Sequence, residues 1–448
     1  RRRRLDGADQ GAQAAAWPAP ERGIRLLAVD VGTSSVRAAV ERHEDVQTPY
    51  HLGAGEVGAE ELAETCLEAM RRAGEADAVA ISCFWHSLVA LDEDGKPLTP
   101  VLTWSDVGSA HAVPFDAFER TGCPPHASFW PAKLTRLRDE QPEVFERAAV
   151  FAGFGDYLVA RLTGELRTSL CMASGTGLLN LETRGWDAEV LEALGLTSER
   201  LPPISDQPVG GVYPALGDGA CSNVGAGCVT AGRAALMIGT SGAFRVVRED
   251  DGSPPRRGLF RYRLDERRVV EGGSLSDGGN LYAWLQRTLR EVDTRGLAER
   301  PPSELTFLPL LGGERAPGWQ ADARGAIAGL SFRTTPLDLV QAALEGVAFR
   351  FAEIADLMPE VEEVVATGHA LLADRDWLQI LADVLERPLQ VSAAREASLR
   401  GAAAIVHERL GGEVEPAPLG GEVSPRRERA ASYRVARERQ RHLYEGVT

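Results

Sequence analysis

The hydrophobic pattern of this chain switches repeatedly between two periods. Leu26 to Val29 is a continuous apolar run closed by Asp30, and Val36 to Val40 is a second run, so residues 25–40 read as a β-hairpin turning at Asp30–Ser35. Glu60–Ala73 instead sets Leu62, Ala63, Cys66, Leu67 and Met70 at helical spacing. Ala78–Ser82 and Ser87–Leu91 predict strands, with Asp92–Pro97 a hairpin turn before Leu98. Residues 133–164 predict helix, closed by Gly164. Glycine is dense from 210 to 232. The second half then repeats the logic, with strands near 235–247 and 258–271 and a helix over 280–292. A long apolar stripe over 337–358, a strand over 361–367 and helices over 377–385 and 397–410 follow. Such alternation argues an α/β fold with a mixed sheet flanked by helices in each half.

At 448 residues the chain exceeds the size at which a single core keeps growing. It is expected to comprise an N-terminal extension (1–24, disordered), a first domain (25–229) and a second (230–448), with the boundary at Val229–Thr230 and the site in the cleft between them. A formal charge of −16 argues against a nucleic-acid surface, so no nucleic-acid partner is expected. No apolar run reaches the roughly 18 residues of a membrane span. The six cysteines are scattered without a C-x-x-C pair, as reduced thiols of a cytoplasmic protein would be.

Two strands each run into a Gly-Thr-Ser turn, Gly32-Thr33-Ser34 and Gly239-Thr240-Ser241, and an arginine follows each at short range, Arg37 and Arg245. A glycine-hydroxyl turn aims backbone N–H groups and a hydroxyl at a phosphate, and two of them suggest a duplicated unit gripping one nucleotide from both sides. Asp30, at the end of its strand, can organise the water shell of Mg²⁺, although an ordinary turn carboxylate reads the same way. Asp218 lies between glycines that leave room for a ligand. As a general base it would contribute about 10²–10⁴-fold in rate, while a plain flexible turn is the other reading. Gly225-x-Gly227 lacks the spacing and acidic partner of a dinucleotide fingerprint, and no Walker sequence or zinc motif occurs. Trp85-His86-Ser87 and Trp104-Ser105-Asp106 each follow an apolar strand, and indoles beside polar groups suit a polyol.

Together these residues resemble the FGGY carbohydrate kinases of the actin/Hsp70/sugar-kinase superfamily. Asp30–Arg37 and Ile238–Gly242 resemble the phosphate motifs, and Trp85-His86-Ser87 with Trp104-Ser105-Asp106 the sugar-binding pair. Asp218-Gly219 with Asn223 resembles the catalytic-aspartate block, Gly313–Pro317 and Leu344–Phe349 the C-terminal signature, and Gly368, Trp377 and Glu396–Ala403 the adenosine-side block. The resemblance implies two actin-like (ribonuclease H-like) domains, ATP and Mg²⁺, and transfer to a terminal hydroxyl of a small-molecule sugar, polyol or sugar acid; it also allows a homodimer. Asp218 would be the base and share the metal with Asp30. Trp85, His86, Trp104 and Asp106 would orient the acceptor. Gly32, Thr33, Ser34, Arg37, Gly239, Thr240, Ser241, Gly368 and His369 would hold the nucleotide.

Within the family, Thr121–His126 and Ala132-Lys133-Leu134 resemble gluconate kinases, making Lys133 a candidate for facing a sugar-acid carboxylate, with a surface lysine the plain alternative. Xylulokinases share most of these motifs. The chain also departs from the family pattern. Val107-Gly108 stands where a pair ending in arginine is usual, Trp85 where methionine is usual, Gly155 where lysine is expected, and Gly368-His369 where glycines should meet the purine. These departures leave open a catalytically impaired ligand-sensing relative, and the phosphate turns alone would also suit an actin-like ATPase.

Overall fold

The computed structural model describes residues 24–447 apart from 41–44, 51–52, 54–55, 107, 110–113 and 291. Nearly all of the expected N-terminal extension, and Val107, lie outside the described residues.

Strands β1 (Leu26–Val31), β2 (Ser35–Val40), β3 (Val46–Pro49), β4 (Ala78–Cys83) and β5 (Leu216–Gly217) form a first sheet in the order β3-β2-β1-β4-β5. A seven-stranded second sheet has the order β8-β9-β7-β6-β10-β11-β12. Its strands are β6 (Arg233–Ile238), β7 (Gly242–Glu249), β8 (Phe260–Arg263), β9 (Arg268–Leu275), β10 (Glu363–Thr367), β11 (Leu389–Ser392) and β12 (Leu419–Val423). In the first sheet, β1 pairs antiparallel with β2 and parallel with β4. The inner strands β9-β7-β6-β10-β11 repeat that order and sense, with β6 antiparallel to β7 and parallel to β10. The duplication suspected from the Gly-Thr-Ser turns is therefore a duplication of the sheet, with each turn joining its first hairpin.

The sequence explains the layers. All six residues of β1 are buried, as expected of a central strand covered on both faces. Helix α1 (Ala59–Ala73) packs on β1, β2 and β3 through Leu62, Ala63, Cys66 and Met70. The region expected to be helical over 133–164 is instead α2 (Trp130–Glu140), α3 (Pro142–Arg147), a short strand Val150–Ala152 and α4 (Phe154–Thr163). Pro142 has no N–H to continue α2, and the residue before a proline disfavours helical geometry. Val150–Ala152 then pairs with Val89–Leu91. Gly164 ends α4 in the left-handed conformation, as the sequence suggests.

The glycine-rich stretch at 217–225 is a helix, α5 (Asp218–Gly225), with Asp218 in its first turn. In the second half, α6 (Gly279–Thr288), α7 (Pro336–Asp356) and α8 (Arg375–Leu385) follow the predicted stripes. Helix α7 opens with a capping box in which Asp338 N donates to Thr335 Oγ1 and Thr335 N to Asp338 Oδ2 (2.8 Å), worth about 1 kcal/mol. Helix α9 (Ala397–Arg409) comes from the second half yet packs on α5, β1 and β4 of the first, and its small residues Gly401–Ala404 are buried there. Helix α10 (Arg427–Val447) closes the chain. It is anchored by Gln440, whose amide donates to Phe307 O (2.7 Å) and Gly346 O (3.1 Å). No helix among the described residues is long and apolar enough to cross a membrane.

Candidate active site

Both Gly-Thr-Ser turns border one cleft of about 720 Å³, together with Asp30, Asp218, Gly368 and His369. Ser34 faces the cleft directly. Gly32 is held behind it: Gly32 N donates to Ser35 O (3.1 Å), and the Tyr50 hydroxyl donates to Gly32 O, while Thr33 does not border the cleft. On the other side Gly239 and Thr240 line the cleft, while Ser241 lines a smaller cavity beyond. The start of α6 holds this turn, Gly279 N donating to Gly239 O (2.9 Å) and Asn280 N to Thr240 O (2.9 Å). Gly368, at φ 93°, brings the turn after β10 so near β6 that a Cβ would sit 2.4 Å from Ile238 O. Its neighbour His369 does present a side chain to the cleft.

A buried carboxylate, Asp30, and a half-buried one, Asp218, meet here. Asp30 Oδ1 accepts the Ser82 hydroxyl (2.7 Å), and Oδ2 lies 3.5 Å from Arg37 Nη1. Burial pushes the Asp30 carboxyl up to about 6, opposed by the Ser82 hydrogen bond and reinforced by the negative charge of Asp218. Asp218 is raised by burial too, opposed chiefly by Arg245. Its Oδ1 accepts its neighbouring Gly219 N (2.8 Å), and the carboxylate also takes a backbone hydrogen bond from Trp85. Two mutually repelling carboxylates at the rim of a polar cleft fit a divalent cation that keeps much of its water. No cluster of three or more potential metal-ligating side chains exists among the described residues, so such an ion would lean on phosphate oxygens and water.

Asp218 also borders the cavity of about 60 Å³ formed by Trp85, His86, Trp104, Arg245, Tyr262 and Arg315. A third cavity, of about 150 Å³, shares Trp104 and Arg315 with it and adds Asp106, His126 and Ser128. Asp218 is thus shared between the phosphate cleft and the small cavity, and Arg315 between the small cavity and the third. His86 sits at φ 66°, outside the region a non-glycine residue favours. Its Nδ1 donates to Gly175 O (2.6 Å), since a carbonyl can only accept, so Nε2 keeps its lone pair. Burial, then Arg315, holds the imidazole neutral, well below its usual pKa.

The Trp85 ring fits because its neighbours are glycines. A Cβ at Gly217 would lie 1.8 Å from the indole, and at Gly175 or Gly219 2.6 Å. Its Nε1 donates to Cys171 O (3.1 Å), and its ring meets Tyr262 edge-on at 5.0 Å. Gly155 has a similar cause: a Cβ there would meet Ala215 Cβ at 2.6 Å, leaving no room for a lysine.

Two sequence expectations change. Lys133 is neither a surface lysine nor a border of the two cavities about Arg315. It is fully buried, and its Nζ donates to His86 O at 2.5 Å, so it holds the His86 backbone. The absence of an arginine at position 108 is answered from another element. Arg136 of α2 bonds both Asp106 oxygens (2.9 Å each), and a Cβ at Gly108 would lie 2.2 Å from its Nη1. Asp106 also accepts Gly108 N (2.9 Å) and the Ser109 hydroxyl (3.2 Å).

Sequence reasoning did not place Arg245 or Arg315 in the cavity beside Asp218. Arg315 stands 5.4 Å from the Trp104 ring centre, its Nε without a hydrogen-bond partner. It had been read only as part of a signature block. The one signal for Arg245 was its place after the second turn.

Comparison with known proteins agrees with this geometry. The profile of the N-terminal domain of the FGGY family of carbohydrate kinases matches residues 25–216, and that of its C-terminal domain residues 234–406. A gluconokinase of Bacillus subtilis (strain 168) is 28% identical over 443 residues, spanning 84% of this chain and 86% of its own. A xylulose kinase of Streptomyces rubiginosus is 31% identical over 437 residues, spanning 88% and 87%. The crystal structure of a gluconate kinase from Lactobacillus acidophilus matches with a TM-score of 0.82 at 26% identity, covering 94% of this chain and 98% of that one.

Proposed function

Because this chain belongs to the FGGY family of carbohydrate kinases, for which ATP is the implied phosphate donor, we propose that it phosphorylates a terminal hydroxyl of an open-chain sugar acid of the gluconate type. The observation that carries the acid is Arg315. Its guanidinium is buried where the two cavities beyond the phosphate cleft join, and it makes no ion pair among the described residues. A buried unpaired cation is costly, and a substrate carboxylate there relieves that cost. A keto-sugar would leave it unrelieved.

Asp218 takes the proton of the acceptor hydroxyl, and His86 Nε2 accepts a hydrogen bond from another. Trp104 packs on C–H faces. Asp30 and Asp218 would hold a hydrated Mg²⁺, which supplies charge neutralisation at the phosphates. Phosphoryl transfer asks mainly for positioning and fixed charge, which a buried cleft provides. We place the division between the two domains near Val229–Thr230, with elements of both halves bordering the phosphate cleft and the acceptor cavities. The six described cysteines are all free and buried, in keeping with a cytoplasmic setting.

The test is an ADP-release screen with gluconate, xylulose, ribulose and glycerol, run on the wild type and on Arg315→Met. The reading expects gluconate-type acids to give the highest kcat/KM and R315M to lose most of it through KM. A wild type that prefers uncharged acceptors, with R315M unaffected, overturns the acid.

A further inference from the structure

The duplicated hairpins differ in how they hold their arginines. In the first, Asp30 lies two residues before Gly32 and faces Arg37 across the β1–β2 ladder. Arg37 is thereby neutralised, 3.5 Å from Asp30 and 3.0 Å from Glu396. In the second, Met237 stands two residues before Gly239, and Arg245 faces Ala235 across β6–β7. Arg245 is only 6% exposed, yet its Nε and Nη2 have no hydrogen-bond partner among the described residues.

Its placement is specific. Arg245 borders both the phosphate cleft and the acceptor cavity, as Asp218 does. Glycines make way for it on two sides: a Cβ at Gly219 would lie 2.1 Å from its Nη1, and a Cβ at Gly272 2.9 Å from its Cγ. Asn223 of α5 donates to Arg245 O (2.7 Å), tying this strand to the helix that begins at Asp218.

We propose that Arg245 is a catalytic residue that stabilises the negative charge of the phosphoryl group as it passes from ATP to the acceptor. This rests on the kinase reading above. The acceptor oxygen gives its proton to Asp218 while bonding to the γ-phosphorus. The bond from that phosphorus to the β–γ bridging oxygen breaks, and its electron pair leaves with ADP. The transferring group must pass within bonding distance of an oxygen held at Asp218, where Arg245 offers unpaired donors. An acid's carboxylate lies at the opposite end of the acceptor from the reacting hydroxyl, so it falls to Arg315. A guanidinium suits the equatorial oxygens because it presents several N–H groups in one plane.

Arg245→Met and Arg245→Lys test this. R245M should lower kcat by about 10²-fold or more, leaving the calorimetric dissociation constants of ADP and acceptor unchanged, and R245K should recover part of the loss. With acceptor present, the wild type should bind ADP with aluminium fluoride more tightly than ADP alone, and R245M should lose that gain. A thermal melt establishes folding, and R245K carries the test should R245M not fold. Near-wild-type kcat in R245M overturns the proposal. So does a loss confined to acceptor affinity that disappears with uncharged acceptors, because Arg245 would then hold the carboxylate. A wild type that releases no ADP with any acceptor defeats the kinase reading instead, and the fluoride measurement still decides Arg245.

Discussion

Gly401 of α9 lies against the carbonyl of Cys221 in α5 so closely that a Cβ would stand 1.8 Å from that oxygen. The contact is reciprocal, since a Cβ at Gly225 would stand 1.8 Å from Ala397 O. Helix α5 begins at Asp218, and Glu396, Ala397 and Ser398 at the start of α9 border the nucleotide cleft. This crossing sets how Asp218 sits relative to Glu396–Ser398 on the other side of the cleft.

Gly401→Ala should push the two helices apart. Overpacking of a tight core costs about 1–3 kcal/mol, so the melting temperature should fall, and kcat should fall more than in an alanine variant at exposed Gly411. Thermal denaturation and the ADP-release assay read the two effects. Unchanged values for both would mean the helices separate without consequence.

Asp218→Asn is nearly isosteric and should keep the fold and ADP binding. Loss of the general base should lower kcat by about 10²–10⁴-fold. Calorimetric ADP binding beside steady-state kinetics separates this from a folding defect. A variant with near-full activity would remove Asp218 from the chemistry.

Asp106 is 5% exposed and is paired with Arg136 through both of its oxygens. Arg136→Met leaves a buried carboxylate unpaired, at a cost of about 3–5 kcal/mol. The double variant D106N/R136M should therefore be more stable than R136M alone. Chemical denaturation of the three variants and the wild type completes the cycle, and a double variant less stable than either single one contradicts the pairing.

Lys133 gives stability a pH dependence of definite sign. Burial lowers its pKa from 10.5 to about 7, with the charge of Asp106 opposing. Between those values the unfolded chain binds a proton that the folded chain lacks, so stability rises with pH across that window and is flat below it. Lys133→Met removes the effect. The melting-temperature difference between wild type and K133M should shift in favour of the wild type as pH climbs above neutrality, and hold constant below. K133M should also raise the acceptor KM by freeing the His86 carbonyl.

Legibility followed the physical origin of each signal. The hairpins, α7 and α8 were readable because burial of one face imposes a period on the sequence. Helix α10 was not, since its buried contacts are Tyr433, Ala436 and Gln440 among many arginines, and its anchor is an amide rather than an apolar stripe. The break at Gln141–Pro142 was missed because apolar spacing continued across it. In the site, residues in short motifs were found, Asp30 and Asp218 among them. Arg136 could not be connected to Asp106, thirty positions away, because the pairing exists only once α2 packs. The burial of Lys133 was not readable because position on a helix does not reveal which way a lysine turns.

The fit of Trp85 against Gly175, Gly217 and Gly219 makes these positions one unit of inheritance. An alanine at 217 collides with the indole, yet becomes tolerable once residue 85 is small. The reverse order, glycine first and tryptophan second, passes through an intermediate that cannot pack. Any lineage or laboratory selection that reshapes this wall must therefore alter residue 85 before the glycines, and the effects of the four substitutions will not add.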